Sequence, residues 1–219
     1  MSSSDASPRP PSFYTWLIIV LGLVTVLALI YRFAGGGAPP LASWELRKMG
    51  VVPAFALTER SGRQVTNKDL DGKIWVADFI YTTCLGPCPL VTAGMEKLQA
   101  SVADDPEVQL VSFTVDPQTD TPPVLAKYAD QYHADPNRWW FVTGPEKPLY
   151  DLILHGFLQA VQDNSGQPLQ DGQNKVTHST YLALVDSNGN LRGFYDGVDN
   201  SARGDLLRDI KILEKEAKQ

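Results

Sequence analysis

Cys84 and Cys88 are the only cysteines in the 219-residue chain, and they lie within Thr82-Thr-Cys-Leu-Gly-Pro-Cys-Pro89. Without Leu85 the segment would read C-G-P-C, the dithiol spacing of a thiol–disulfide oxidoreductase. A close pair in an otherwise cysteine-free chain points to a catalytic dithiol or a metal clamp, since a thiolate is both a nucleophile toward disulfides and a soft metal ligand. Pro89 suits the first turn of a helix, where its missing N–H costs nothing. The pair is therefore expected at a helix N-terminus, where free N–H groups and the helix dipole favour negative charge. Three intervening residues leave room for both sulfurs on one ion, although a disulfide can also close across them.

A third ligand separates the two chemistries. A thioredoxin-type reductase carries Trp before its first cysteine and a cis-proline facing the pair. Here Thr83 precedes Cys84, and no proline follows Pro168. At the expected proline position the chain reads Val176-Thr-His178-Ser179. Two thiolates and an imidazole suit copper, because thiolates hold Cu(I) and imidazole helps hold Cu(II). His133 and His155 fall in or beside predicted helices and read as surface or capping residues.

The elements around these residues alternate. Phe55–Thr58 and Arg63–Val65 flank Ser61-Gly62 as a small hairpin, and Lys73–Tyr81 is a mostly apolar run of strand length. Val91, Met95, Leu98 and Val102 follow helical spacing, and Val108–Val115 is a second long strand. Asp120 then stands as the cap of a helix opened by Pro122-Pro123. Arg138–Thr143 is a strand and Pro148–Gln159 a helix, followed by a polar loop over Asp163–Thr177. Ser179–Val185 and Leu191–Tyr195 form a hairpin about Ser187-Asn-Gly, and Leu206, Ile210 and Leu213 mark a closing helix. The order implies an α/β fold, a mixed central sheet with helices on both faces. Working residues of such sheets gather where strands end and helices begin, which is where Cys84 and Cys88 fall.

Composition sets the remaining bounds. A net charge of −6 argues against a nucleic-acid partner. No charged residue occurs from Pro11 to Tyr31, a length that suits a bilayer core, and aromatic residues stand at both ends. The expected organisation is a tail over 1–12, a transmembrane anchor over 13–33, a Gly- and Pro-rich linker over 34–43 and one domain over 44–219. A cleaved signal peptide is the alternative for the apolar segment.

Three segments together resemble the Sco/SenC family of copper proteins of cytochrome oxidase assembly. They are Phe79-Ile-Tyr-Thr-Thr-Cys-Leu-Gly-Pro-Cys-Pro89, Val111-Ser-Phe-Thr-Val-Asp-Pro-Gln-Thr-Asp-Thr-Pro122 and His178-Ser-Thr-Tyr-Leu-Ala-Leu-Val-Asp-Ser-Asn-Gly189. Trp140-Phe-Val-Thr-Gly144 adds a fourth, shorter match. The resemblance implies a thioredoxin-like fold behind one N-terminal membrane helix, with the domain in the periplasm of a bacterium and the tail in its cytoplasm. It implies one copper ion, Cu(I) or Cu(II), on Cys84, Cys88 and His178. It also implies delivery to the binuclear copper A site of cytochrome c oxidase subunit II. Other periplasmic copper chaperones or thiol reductases would be further partners. Asp116 and Asp120 match a D-x-x-x-D pattern that the family links to partner or metal handling. The alternatives are a periplasmic thiol-disulfide reductase using Cys84 and Cys88 without metal, and a redox or copper sensor. A peroxiredoxin reading fails on P-x-x-x-T-x-x-C, because Ala77 and Tyr81 occupy its proline and threonine positions.

Overall fold

The structure, a computed structural model, describes residues 13–34, 46–158, 161–163, 176–178 and 180–218. It divides into two compact units, Met1–Trp44 and Glu45–Gln219.

The first unit contains helix α1, Phe13–Ala34, 22 residues with no charge before Arg32. At 1.5 Å per residue this is about 33 Å of helix, the order of a bilayer core. Over only the residues whose side chains are described, no helix is long and apolar enough to cross a membrane.

The second unit is built on β4 (Ile74–Ile80) and β5 (Val108–Thr114), parallel neighbours with every residue buried. Such strands need helices on both faces, which is why they read as continuous rather than alternating apolar runs. β6 (Trp139–Thr143) lies parallel beside β5. On the other side β9 (Tyr181–Val185) runs antiparallel to β4, and β10 (Asn190–Asp196) antiparallel to β9. A two-residue β1 (Gly50–Val51), not foreseen in the sequence, closes the β10 edge. The hairpin β2 (Ala56–Glu59) and β3 (Gln64–Thr66) closes the edge beyond β6. The eight-stranded order is β1-β10-β9-β4-β5-β6-β2-β3.

Alternation along β4 divides the core. Ile74, Val76 and Ile80 pack with Met95 and Leu98 of α2 (Cys88–Ser101), Leu125 of α3 (Pro122–Gln131) and Leu206 and Ile210 of α5 (Asn200–Glu216). Trp75, Ala77, Phe79 and Tyr81 face the other way, into a cluster that holds Phe113, Phe157 and both cysteines. Phe113 touches the rings of Phe55, Trp75, Phe79 and Phe157 at centroid distances of 5.9, 6.5, 6.0 and 5.3 Å. Burying each of these large side chains contributes about 1.5–3 kcal/mol.

Two local departures from the expected elements have identifiable causes. The helix expected over Pro148–Gln159 is α4 (Glu146–Asp151) followed by one π-helical stretch, Leu152–Gly156. The Phe157 N–H donates to the Leu152 carbonyl at 3.2 Å, one residue further than an α-helical bond. A Cβ on Gly156 would lie 2.7 Å from Pro53, so glycine allows this wider turn to close on the neighbouring chain. The loop expected over Asp163–Thr177 has paired ends, β7 (Val161–Asp163) with β8 (Val176–His178), Val161 opposite His178. Val161, Val176 and Thr177 are β-branched, which suits extended pairing. Residues 164–175 lie outside the described residues.

A buried ion cluster fixes the entrance of the chain into this unit. Arg192 on β10 donates to the Leu46 carbonyl at 2.6 and 3.1 Å, to Asp186 at 2.8 Å and to Glu216 of α5 at 2.9 Å.

Candidate functional site

β4 ends at Ile80, its carbonyl held by the Val115 N–H at 2.7 Å. The next four residues turn across the end of the sheet. The Cys84 N–H donates to the Tyr81 carbonyl at 3.2 Å, and α2 begins at Cys88 itself. Pro89 stands in the first turn of α2, as expected, and the N–H groups of Leu90 and Val91 both donate to the Pro87 carbonyl. The Thr92 hydroxyl donates to the Cys88 carbonyl at 2.9 Å. Leu85 is 95% exposed, so the extra residue of the motif lengthens the turn outward and adds nothing to the core.

Both cysteines are buried, and no disulfide joins them. The two side chains are hydrogen-bonded to each other, and this contact, with burial, pushes the Cys88 thiol up from its ordinary value. Nearby charge on Cys84 and Asp78 acts in the same direction, and a hydrogen bond from the Tyr81 backbone N–H opposes it. The helix terminus at Cys88 therefore does not leave that sulfur as a free thiolate. Cys88 holds its proton and donates it toward Cys84. A soft cation would displace that proton, since metal binding to thiols releases protons.

The Tyr81 phenol is buried, and burial followed by a hydrogen bond to Cys84 pushes its pKa up. Asp78, in the middle of β4, is fully buried, accepts a hydrogen bond from the Ser112 hydroxyl, and adds charge near Cys88. Neither residue was singled out by motif reading. For Asp78 the signal was there: one acid inside the apolar run Ile74-Trp-Val-Ala-Asp-Phe-Ile80.

Asp116 and Asp120, expected to face a partner, are both buried. Asp120 does not cap α3, whose cap is Thr121. Its carboxyl instead accepts from the Thr82 N–H at 3.2 Å, the Thr82 hydroxyl at 2.6 Å and the Thr114 hydroxyl. The reason is reach: the β5–α3 turn brings Asp120 beside the turn before the cysteines, where unpaired donors await an acceptor. The Asp116 carbonyl accepts from the N–H groups of Thr119 and Asp120, which closes the turn that carries it.

Asp120→Ala should cost about 2 kcal/mol, because it takes the acceptor from the buried Thr114 hydroxyl and from the part-buried Thr82 N–H. The check is a thermal melt combined with hydrogen exchange at the Thr82 amide, which should speed up. Burial raises the Asp120 pKa despite its hydroxyl partners. A raised carboxyl stabilises the fold below its unfolded value and loses that contribution as pH rises through the folded value. Asp120→Asn, which cannot ionise, should therefore gain on the parent as pH rises through that range.

His178 ends β8, and its side chain lies outside the described residues. Among the described residues no three His, Cys, Asp or Glu side chains form a metal-binding group. His133 is exposed and bonded to Glu96 at 2.9 Å, away from the cysteines.

The family description SCO1/SenC matches residues 45–213. A SCO1/SenC family lipoprotein of Bacillus anthracis is 33% identical in a structural superposition covering 78% of this chain and 99% of that one, with a TM-score of 0.69. BsSco, described as a Sco family cytochrome c oxidase assembly protein with a disulfide switch, is 29% identical over 77% and 97% of the chains, TM-score 0.65. ScoI of Bradyrhizobium japonicum, solved with copper bound, is 25% identical over 72% and 98%, TM-score 0.57. The mixed sheet, the buried dithiol at its edge and these matches agree, and the chain belongs to the SCO1/SenC family.

Proposed function

We propose that the protein is a membrane-anchored copper chaperone that carries one copper ion on Cys84, Cys88 and His178 and delivers it to the copper A site of cytochrome c oxidase subunit II. The observation that carries this reading is the buried Cys84–Cys88 pair, both in one cluster at the end of β4 and the start of α2. Two adjacent thiols are a donor set for a soft ion, and closing onto copper needs only loss of their protons. Closeness in sequence to β9, the neighbour of β4, supports the third ligand. β8 ends at His178 and β9 opens at Tyr181 beside β4, the strand that leads into the cysteine turn. Copper bound to the related ScoI, and the oxidase-assembly role described for BsSco, point the same way.

The copper is cargo rather than a resident catalyst. Cys88 is fully covered while Cys84 keeps a small exposed edge. An incoming donor of the target would therefore approach from the Cys84 side. α1, uncharged before Arg32, would hold the domain at the bacterial inner membrane, with residues 44–219 in the periplasm. The lipoprotein relative offers a parallel for attachment to a membrane.

The test is copper titration of the full-length reduced chain in detergent, with and without His178. His178→Ala should weaken Cu(II) by more than about tenfold while leaving Cu(I), held by the two sulfurs, within about threefold, consistent with the preference of imidazole for Cu(II). Equal affinities in variant and parent would remove His178 from the ligand set.

A second reading, a thiol-disulfide reductase of subunit II, is favoured by the same pair of adjacent cysteines, which no disulfide joins. Two electrons and two protons would pass to the target disulfide as Cys84 and Cys88 close into their own. It requires activity that survives both copper chelation and His178→Ala.

A further inference from the structure

Packing alone does not hold the cysteine turn in place. Between Ile80 and α2, Thr83, Leu85 and Gly86 are exposed, Thr82 and Pro87 are half-buried, and only Tyr81 and Cys84 reach the core. A segment with so little buried surface opens easily unless polar bonds tie it to something rigid.

The tie comes from a distant part of the chain. Thr82, two residues before Cys84, donates its N–H and its hydroxyl to the Asp120 carboxyl at 3.2 and 2.6 Å. Asp120 is fully buried and also accepts from the hydroxyl of Thr114, the last residue of β5. The Thr114 oxygen in turn accepts from the Asp116 N–H at 3.0 Å, and the Asp116 carbonyl accepts from the Asp120 N–H at 2.9 Å. Asp120 is thus held by β5 and by its own turn as well as by the cysteine segment. Cys88 is fixed by a separate frame. The Thr92 hydroxyl donates to the Cys88 carbonyl at 2.9 Å and meets the Tyr128 hydroxyl of α3 at 3.0 Å.

Two thiols on one turn meet at an effective concentration set by how narrowly that turn is confined. With Cys88 set by α2 and α3, the variable is the freedom of the chain that brings in Cys84. We propose that Asp120 is a positioning residue for the Cys84–Cys88 pair: by holding Thr82 it confines the turn that presents Cys84 and raises the effective concentration of one sulfur at the other. No proton or electron passes through Asp120. The role belongs to the pair itself, and is the same whether the pair carries copper or reduces a disulfide.

The experiment uses metal-free full-length protein in detergent, equilibrated with reduced and oxidised glutathione at pH 7. Two electrons and two protons pass from Cys84 and Cys88 to oxidised glutathione, giving the internal disulfide and two molecules of reduced glutathione. The equilibrium constant has the units of a concentration and measures the effective concentration directly; the disulfide fraction is read by thiol alkylation and mass. Near-ultraviolet circular dichroism at the working temperature establishes that each variant is folded. Asp120→Ala should lower the constant by about tenfold, toward the dithiol, the size of one hydrogen bond to a charged group. Asp120→Asn keeps an oxygen for the Thr82 N–H and offers an amide to the threonine hydroxyls, so it should stay within about twofold of the parent. Thr82→Val removes only the hydroxyl bond and should lower the constant by about threefold, which carries the test if Asp120→Ala does not fold. Tyr195→Phe is the control for stability alone: it removes a buried bond to Asp209, 2.7 Å long, in the core cluster that contains no cysteine. It should melt lower than the parent and keep the parent constant. A parent constant in folded Asp120→Ala, or in Thr82→Val where that variant stands in for it, would overturn the proposal. So would a shift toward the disulfide, an equal fall in Tyr195→Phe, or a fall in Asp120→Asn as large as that in Asp120→Ala. No metal enters the measurement, so its outcome is separate from that of the copper titration.

Discussion

Cys88→Ser should leave a folded chain whose copper binding, on the proposed ligand set, is weaker by more than about a hundredfold and which can no longer form an internal disulfide. The size follows from what is removed. Losing an outer-shell partner of a metal ligand typically costs about 10–100-fold, and Cys88 is a proposed ligand itself. A serine hydroxyl is close in volume to a thiol, so the fully buried site is not emptied, and the fold survives. The hydroxyl is a hard, weakly acidic donor that does not replace a thiolate toward Cu(I). Competition against a chromophoric Cu(I) chelator measures the first loss, and mass after oxidation and alkylation the second. Copper affinity within tenfold of the parent would show that the ion is held elsewhere.

Phe113→Ala has the largest expected effect on stability, about 3–5 kcal/mol. The side chain is fully buried on β5 and meets four other aromatic rings. These come from β4, the π-helical stretch and the segment before β2, which cannot all collapse into one cavity. For a unit of this size each kcal/mol lowers the melting temperature by about 2–4 °C, giving a fall of roughly 6–20 °C. The cysteines belong to the same cluster, so the void opens beneath them. Copper stoichiometry at low temperature should stay at the parent value, which separates loosened packing from loss of ligands. A fall of less than 2 °C would mean that the cluster repacks around the gap.

The sheet was legible because its strands obey simple periodicity. Ile74–Ile80 and Val108–Thr114 are unbroken apolar runs, and Pro89 and Pro122 mark the first turns of α2 and α3. Cys84 and Cys88 were legible by type and spacing, and the fold brings them into contact. What escaped depends on contacts distant in sequence. Asp120 beside Pro122 looked like a cap, yet its carboxyl serves Thr82, 38 positions earlier, because the β5–α3 turn and the cysteine turn meet at one sheet edge. The π-helical widening after α4 left no mark in the pattern of Leu149, Leu152 and Ile153, which also suits a regular helix. Tyr81 passes as one more aromatic at the end of a strand.

The Arg192 cluster has a mechanical meaning. Asp186 follows Val185, which pairs with Trp75, so Arg192, Asp186 and Leu46 gather at the Ile74 end of the sheet. The cysteines follow Ile80 at the other end, six residue steps or about 20 Å along β4. One buried guanidinium thus ties the Leu46 carbonyl to α5 and to the end of β9. That clasp joins β9, β10 and the closing helix at the end of the sheet opposite the cysteines, so removing it, as in Arg192→Ala, would loosen the fold far from Cys84 and Cys88.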